Sequence, residues 1–232
     1  KINDISDDIA LIAIQGPKSR HVLQKITTND LNLLEYYHFF YDKVANTDVI
    51  ISRTGYTGEL GYEIYTKSKS AVVIWEQLMK VGQDAGIGPV GLACRDTLRL
   101  EMKYLLYGED INNKTNPLEA GLGWITKFEK KDFIGKKSLM DMRNKIIKRL
   151  VCVQMKEKAI PRNGCKIYFK DKEIGICTSG TMSPSIGKGI GIGYVETNFS
   201  SIGQNVFVDI RGRRKKGVIV KSPFYKEGTL LK

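Results

Sequence analysis

Ser52-Arg53-Thr54-Gly55-Tyr56-Thr57-Gly58-Glu59-Leu60-Gly61-Tyr62-Glu63-Ile64-Tyr65 is the stretch around which the chain is read. Glycines 55, 58 and 61 stand between two apolar segments, residues 48–51 and 62–65. The pattern predicts a strand, a Gly-rich turn and a second strand. Glycine reaches positive φ without steric cost and lets a backbone or a ligand come close. A plain hairpin does not need the polar and aromatic residues that lie between the glycines. Tyr56, Glu59 and Glu63 are therefore candidates to face a flat, aromatic ligand rich in N–H donors.

Upstream, Ile9-Ala10-Leu11-Ile12-Ala13-Ile14 reads as a buried strand broken by Gln15-Gly16-Pro17, with Pro17 suited to a first helical position. Val22, Leu23 and Ile26 then repeat at helical spacing. Residues 29–43 form a connection into a strand, and their aromatics (Tyr36, Tyr37, Phe39, Phe40, Tyr41) are expected in the core. Downstream, Ser68 or Ser70 is placed to cap a helix. Its apolar face is expected from Val72, Trp75, Leu78 and Met79, and Gly82 and Gly86 end it. A second helix is predicted over residues 92–105. Leu98, Met102 and Leu105 line one side, and Arg95 and Arg99, four apart, share another. Those arginines read either as a solvated pair with Asp96 and Glu101 as partners or as ligand-facing.

Residues 107–124 are turn-rich, with Glu109, Asp110 and Glu119 among glycines. Asp132-Phe133-Ile134-Gly135 precedes a basic helix over 136–147. The expected boundary lies at its end, giving domains 1–147 and 148–232. Short strands then follow at 150–155, 166–169, 173–179, 190–195, 206–210 and 217–220, separated by turn signals. Such spacing predicts a small antiparallel barrel or sandwich. The fold class is α+β followed by a small antiparallel β-barrel. Lys188-Gly189-Ile190-Gly191-Ile192-Gly193 contains no G-x-G-x-x-G and fits a strand packed closely against a neighbour.

Composition narrows the function. Hydrophobic residues make up 42% of the 232, normal for a globular protein, and no apolar run approaches a membrane span. The chain opens on Lys1 without a signal-peptide pattern, as a processed protein or a fragment does. Four cysteines (Cys94, Cys152, Cys165, Cys177) lack a C-x-x-C, so reduced, mostly buried thiols are expected, without a disulfide framework or zinc site. With only His21 and His38, neither a multi-histidine metal site nor a Ser-His-Asp hydrolase is supported. Of the net charge of +12, residues 146–232 carry +11, from 17 Lys and Arg against six Asp and Glu. A basic surface favours acidic partners. Arg211-Gly212-Arg213-Arg214-Lys215-Lys216 is its densest run. That run can grip phosphates but lacks the interleaved aromatics of a stacking platform, so a hairpin tip or a docking site for an acidic protein is preferred over nucleic-acid binding.

Glu63 and Arg95 remain the most suggestive pair. A carboxylate can accept two hydrogen bonds from an amino-pyrimidinone edge, an arginine can donate to the ring's oxygen and nitrogen, and tyrosines can stack on the ring. An ion pair among core tyrosines is the alternative that composition alone leaves open.

Several passages together resemble the aminomethyltransferase, or T-protein, family of the glycine cleavage system. They are Gly55-Tyr56-Thr57-Gly58-Glu59-Leu60-Gly61-Tyr62-Glu63-Ile64, Ala93-Cys94-Arg95-Asp96-Thr97-Leu98-Arg99-Leu100-Glu101 and Leu106-Tyr107-Gly108-Glu109-Asp110-Ile111. Asn116-Pro117-Leu118-Glu119-Ala120-Gly121-Leu122-Gly123-Trp124, Asp132-Phe133-Ile134-Gly135 and Thr178-Ser179-Gly180-Thr181-Met182-Ser183-Pro184-Ser185 follow in the same order. The resemblance implies a folate-binding α+β region followed by a barrel. It also implies transfer of a one-carbon unit from the aminomethyl-lipoyl arm of H-protein to tetrahydrofolate, with ammonia released and no metal used. The folate-binding residues it implies are Glu63 and Arg95 on the pterin and Tyr56 and Tyr104 nearby, with Tyr225 as the C-terminal candidate. Family members are about half as long again, and the aspartate that orients their folate is expected upstream of Lys1; Asp7 and Asp8 do not match its motif. The compartment implied is a bacterial cytoplasm or a mitochondrial matrix. A folate-dependent demethylase or a non-catalytic folate-binding relative is the alternative.

Overall fold

The computed structural model describes residues 1–231. They form two compact units: Lys1–Arg95 joined by the chain from Glu227, and Asp96–Lys226.

The first unit is built on a four-stranded antiparallel sheet in the order β1-β4-β3-β2, from β1 (Ile9–Gln15), β2 (Phe39–Val44), β3 (Thr47–Ser52) and β4 (Gly61–Lys67). Two helices, α1 (Ser19–Gln24) and α2 (Ala71–Val81), bury one of its faces. Period-two alternation sorts each strand. Ile12, Ile14, Val49, Ile51, Tyr62 and Ile64 enter the core with Val22, Leu23, Ile74 and Leu78. The opposite face carries rows set by strand register. Leu11 pairs with Tyr65, Tyr65 with Ile50 and Ile50 with Tyr41; one row along, Ala13 pairs with Glu63, Glu63 with Ser52 and Ser52 with Phe39.

Three local expectations are corrected. The buried stripe of α2 is Ile74 and Leu78, with Ala71 and Val81 packed against them, whereas Val72 and Trp75 are exposed. Both stripes have helical spacing, and contact with the sheet selects one of them. Ser70 occupies the N-cap of α2 without a side-chain cap bond, and Ser68 bonds the Asp7 carbonyl instead. Of the aromatics at 36–41 only Phe40 packs on the core; Tyr37, Phe39 and Tyr41 are exposed, because strand alternation turns 39 and 41 to the uncovered face.

The units divide inside α3 (Leu92–Glu101), which is shorter than the predicted 92–105. In the second unit α4 (Lys136–Met142) is likewise shorter than the predicted 136–147. A closed antiparallel barrel follows, in the order β10-β5-β8-β7-β6-β9. Its strands are β5 (Lys148–Met155), β6 (Lys166–Phe169), β7 (Lys172–Ser183), β8 (Lys188–Glu196), β9 (Asn205–Ile210) and β10 (Arg213–Val220). Every strand foreseen from the sequence is present. Val151, Val153, Met155, Ile167, Val206, Val208 and Ile219 fill the interior. Cys152, Ile190 and Ile192 form a second core on the outer wall with Leu100. The alternating glycines of β8 are explained by close approach: a Cβ at Gly189 would lie 1.9 Å from the Ala159 carbonyl oxygen, and one at Gly193 would lie 2.4 Å from that of Ile176.

Candidate functional site

The loop between β3 and β4 is shaped from below by Gln15, the last residue of β1. Its amide donates to the carbonyls of Thr54 and Tyr62, each at 3.3 Å, and its Oε1 accepts from the Thr57 hydroxyl at 3.2 Å. A Cβ at Gly55 or Gly61 would lie 1.9 or 2.3 Å from Gln15 Oε1, so the two glycines make room for this side chain. Gly58 turns the loop at φ 77°. The Leu60 carbonyl accepts from the Gly16 amide and the Ser19 hydroxyl. Gln15 went unnoticed in the sequence; its signal was the pair of glycines six residues apart.

Two of the foreseen ligand residues meet on this loop and α3: the Arg95 guanidinium lies over the Tyr56 ring, 4.7 Å from its centroid. Glu63 stands on β4, half-buried on the sheet face away from the core. Its carboxylate accepts from the Thr54 hydroxyl. Burial, and then the charge and hydrogen bond of Glu63, raise the Tyr65 phenol above its usual range. Among the described residues Glu63 and Arg95 make no ion pair with each other or with any other group. Glu59 serves the fold: the tail residue Thr229 donates to it through its amide at 3.0 Å and also through its hydroxyl.

The second unit holds the other two foreseen residues, Tyr104 and Tyr225, both half-buried. Their backbones hang from the end of α3: the Tyr104 amide donates to the Arg99 carbonyl at 2.8 Å and the Tyr225 amide to the Glu101 carbonyl at 3.2 Å. Arg99 is no solvated arginine. It is buried and bonds Asp110 at 2.6 Å, Asp96 at 2.7 Å, the Ser179 hydroxyl at 2.8 Å and the Tyr104 carbonyl at 3.1 Å. Burial works against its charge, but the Asp110 and Asp96 carboxylates outweigh it and raise the guanidinium pKa. Asp110 also accepts from the hydroxyls of Thr178 and Ser179 and from the Leu106 amide. Glu101 is not a partner of the arginines; it accepts from Ser183 and Ser185 on the barrel side. Asp96 was foreseen as a local partner of the arginines; the bonds of Arg99 to Ser179 and of Asp110 to Thr178 were missed because they span 80 and 68 positions of sequence.

Among the described residues no cluster of His, Cys, Asp and Glu is arranged to hold a metal ion, and no helix is long and apolar enough to cross a membrane. The basic run forms the β9–β10 turn and the start of β10. Arg214 pairs with Asp171 and stacks over Tyr168, and Lys215 pairs with Glu157, so part of its charge is spent locally.

The GCVT N-terminal domain family matches residues 1–130, and the glycine cleavage T-protein C-terminal barrel domain family matches residues 148–226. The chain belongs to the glycine cleavage T-protein family. An aminomethyltransferase of Halothermothrix orenii is 46% identical over 220 residues, covering 94% of this chain and 62% of that protein. One from Porphyromonas gingivalis is 48% identical over 230 residues, covering 97% and 64%. Among solved structures, glycine cleavage system aminomethyltransferase T from Bartonella henselae superposes with a TM-score of 0.86 at 31% identity, covering 95% of this chain and 61% of that one. The chain thus spans about three-fifths of the length of the T-proteins it matches. The expected fold, α+β followed by an antiparallel barrel, is the T-protein fold found here.

Proposed function

We propose that this chain supplies folate-binding residues to a tetrahydrofolate-dependent aminomethyltransferase of glycine cleavage. In that reaction the one-carbon unit leaves the aminomethyl-lipoyl arm of H-protein, ammonia is released, and tetrahydrofolate becomes 5,10-methylenetetrahydrofolate. The observation that carries the reading is the arrangement on the Gly-rich hairpin. Arg95 lies over Tyr56, and Glu63 has no cationic partner among the described residues. A pterin edge needs such an acceptor, and its ring needs a planar donor beside an aromatic face. Tyr104 and Tyr225 are further folate contacts in this reading. The residues bind and orient, and none is assigned a proton transfer. Holding the folate beside the lipoyl arm supplies proximity, which converts an encounter into a unimolecular step. The basic second half of the chain suits an acidic carrier protein. We place the reaction in a bacterial cytoplasm, by likeness to bacterial relatives.

The test is a titration of the chain with tetrahydrofolate and, separately, with DNA and RNA. Folate binding that Glu63→Ala and Arg95→Ala each weaken, with the thermal midpoint kept, supports the reading. Salt-steep nucleic-acid binding without folate binding overturns it. Supplying aminomethylated H-protein and measuring ammonia and methylenetetrahydrofolate distinguishes aminomethyl transfer from a demethylase.

A further inference from the structure

The end of the chain closes over the outer side of the Gly-rich loop. Four of its bonds reach three consecutive loop residues. The Thr229 amide and hydroxyl donate to the Glu59 carboxylate, the Leu60 amide donates to the Thr229 Oγ1 at 3.0 Å, and the Leu230 amide donates to the Gly58 carbonyl at 3.3 Å. Gly228 lies flat on the loop: a Cβ there would come within 2.2 Å of the Gly58 carbonyl oxygen. The same loop is held from its inner side by Gln15. Glu59 is half-buried and its carboxylate is committed to the tail.

We propose that Thr229 is a positioning residue for the folate site: with Gly228 it straps residues 58–60, and the strap fixes the loop that presents Tyr56 to Arg95. The argument is mechanical. A loop that pivots at Gly58, at φ 77°, keeps freedom at residues 58 and 59, which lie between the inner anchors at the Thr57 hydroxyl and the Leu60 carbonyl. Tyr56 and Arg95 recognise a flat ligand only while their mutual geometry is kept, and preorganisation is what such a strap adds to affinity. Thr229 serves both directions at once, since its hydroxyl donates to Glu59 and accepts from Leu60. Valine keeps its shape and loses both bonds, whereas serine keeps both.

The inference rests on the folate reading, and two measurements on the full chain keep the two separable. The first is amide hydrogen exchange of Leu60 in the ligand-free protein, for wild type, Thr229→Val, Thr229→Ser and Gly228→Ala. Thr229→Val and Gly228→Ala are expected to speed exchange there about tenfold or more, the scale of a lost hydrogen bond to a charged network, while Thr229→Ser leaves it near wild type. The second is the affinity for tetrahydrofolate well below the thermal midpoint. Thr229→Val is expected to weaken it about five- to tenfold, with Thr229→Ser restoring it. Unchanged Leu60 exchange in both Thr229→Val and Gly228→Ala overturns the strap. Faster exchange with unchanged folate affinity overturns the positioning role. Faster exchange in a chain whose wild type binds no folate overturns the folate reading and, with it, the positioning role, while the strap itself stands.

Discussion

Arg95 lies over the face of Tyr56, its guanidinium carbon 4.7 Å from the ring centroid, although the two stand 39 positions apart in the chain. The contact joins residue 95 to the loop after β3, and in the proposed folate reading it pre-sets a cation and an aromatic surface for a flat ligand. Cation–π pairs of this kind contribute about 0.5–1 kcal/mol at exposed sites and more once a ligand excludes water. Lysine cannot reproduce the planar, stacked donor. Arg95→Lys and Tyr56→Leu are therefore each expected to weaken tetrahydrofolate binding, and the double variant to weaken it by less than the sum. Calorimetric titration of the four proteins gives the coupling; strict additivity would show that the pair does not act as a unit.

Gly61 and Gln15 offer a cleaner cycle, because their contact is steric. An alanine methyl at 61 would occupy the place of the Gln15 amide, and moving that amide breaks bonds to Thr54, Tyr62 and Thr57. Gly61→Ala is expected to cost about 1–3 kcal/mol, the scale of a broken buried polar contact. Gln15→Ala removes the obstacle, so Gly61→Ala added to Gln15→Ala is expected to cost much less. Urea unfolding of the two single variants and the double variant measures this directly.

That cycle also marks where the sequence stopped being readable. Three glycines between two apolar segments were enough to place β3, β4 and the turn, since alternation and turn chemistry are local. The barrel was legible for the same reason, strand by strand. Leu78 was foreseen in the buried stripe of α2, but its neighbour there was not, because Ile74 four positions before it and Trp75 three before it both fit helical spacing and only the sheet distinguishes them. The candidate site divides likewise. Glu63, Arg95 and Tyr56 sit in motifs whose order along the chain carries a family resemblance. Gln15 reaches Thr57 across 42 positions, Asp110 reaches Thr178 across 68 and Thr229 reaches Glu59 across 170, and no window along the chain joins these pairs.

Asp110 is the most consequential of these long-range residues. It is buried with the Arg99 guanidinium, and it also accepts from Thr178, Ser179 and Leu106. Removing one member leaves a buried charge without its partner, which costs about 3–5 kcal/mol, whereas replacing both with apolar groups of like volume is often nearly neutral. Asp110→Ala is expected to lower stability by about that amount, and Arg99→Met with Asp110→Leu to recover a substantial part of the loss. Thermal unfolding followed by near-ultraviolet circular dichroism separates the three proteins. An Asp110→Ala variant as stable as wild type would remove the network from the account of how α3 is held on the barrel wall.

The cysteines give a pH signature with a definite sign. Cys94 is exposed, while Cys152 and Cys177 are buried, and burial pushes each of these two thiols up to about 12. In the unfolded chain a thiol titrates near about 8.5. The folded state therefore holds these protons more tightly, and the stability this brings is fully present below about pH 8.5 and lost as pH rises toward 12. Because reaction with iodoacetamide requires the thiolate, Cys94 is expected to be modified at pH 8 in the native protein while Cys152 and Cys177 stay intact. Peptide mass spectrometry after brief alkylation reads the order. Unfolding in urea at pH 8 and at pH 10.5 then reads the linkage. Wild type is expected to lose more stability over that interval than a Cys152→Ala/Cys177→Ala variant, because the other alkaline groups titrate alike in both; equal losses would place the two thiols in contact with solvent.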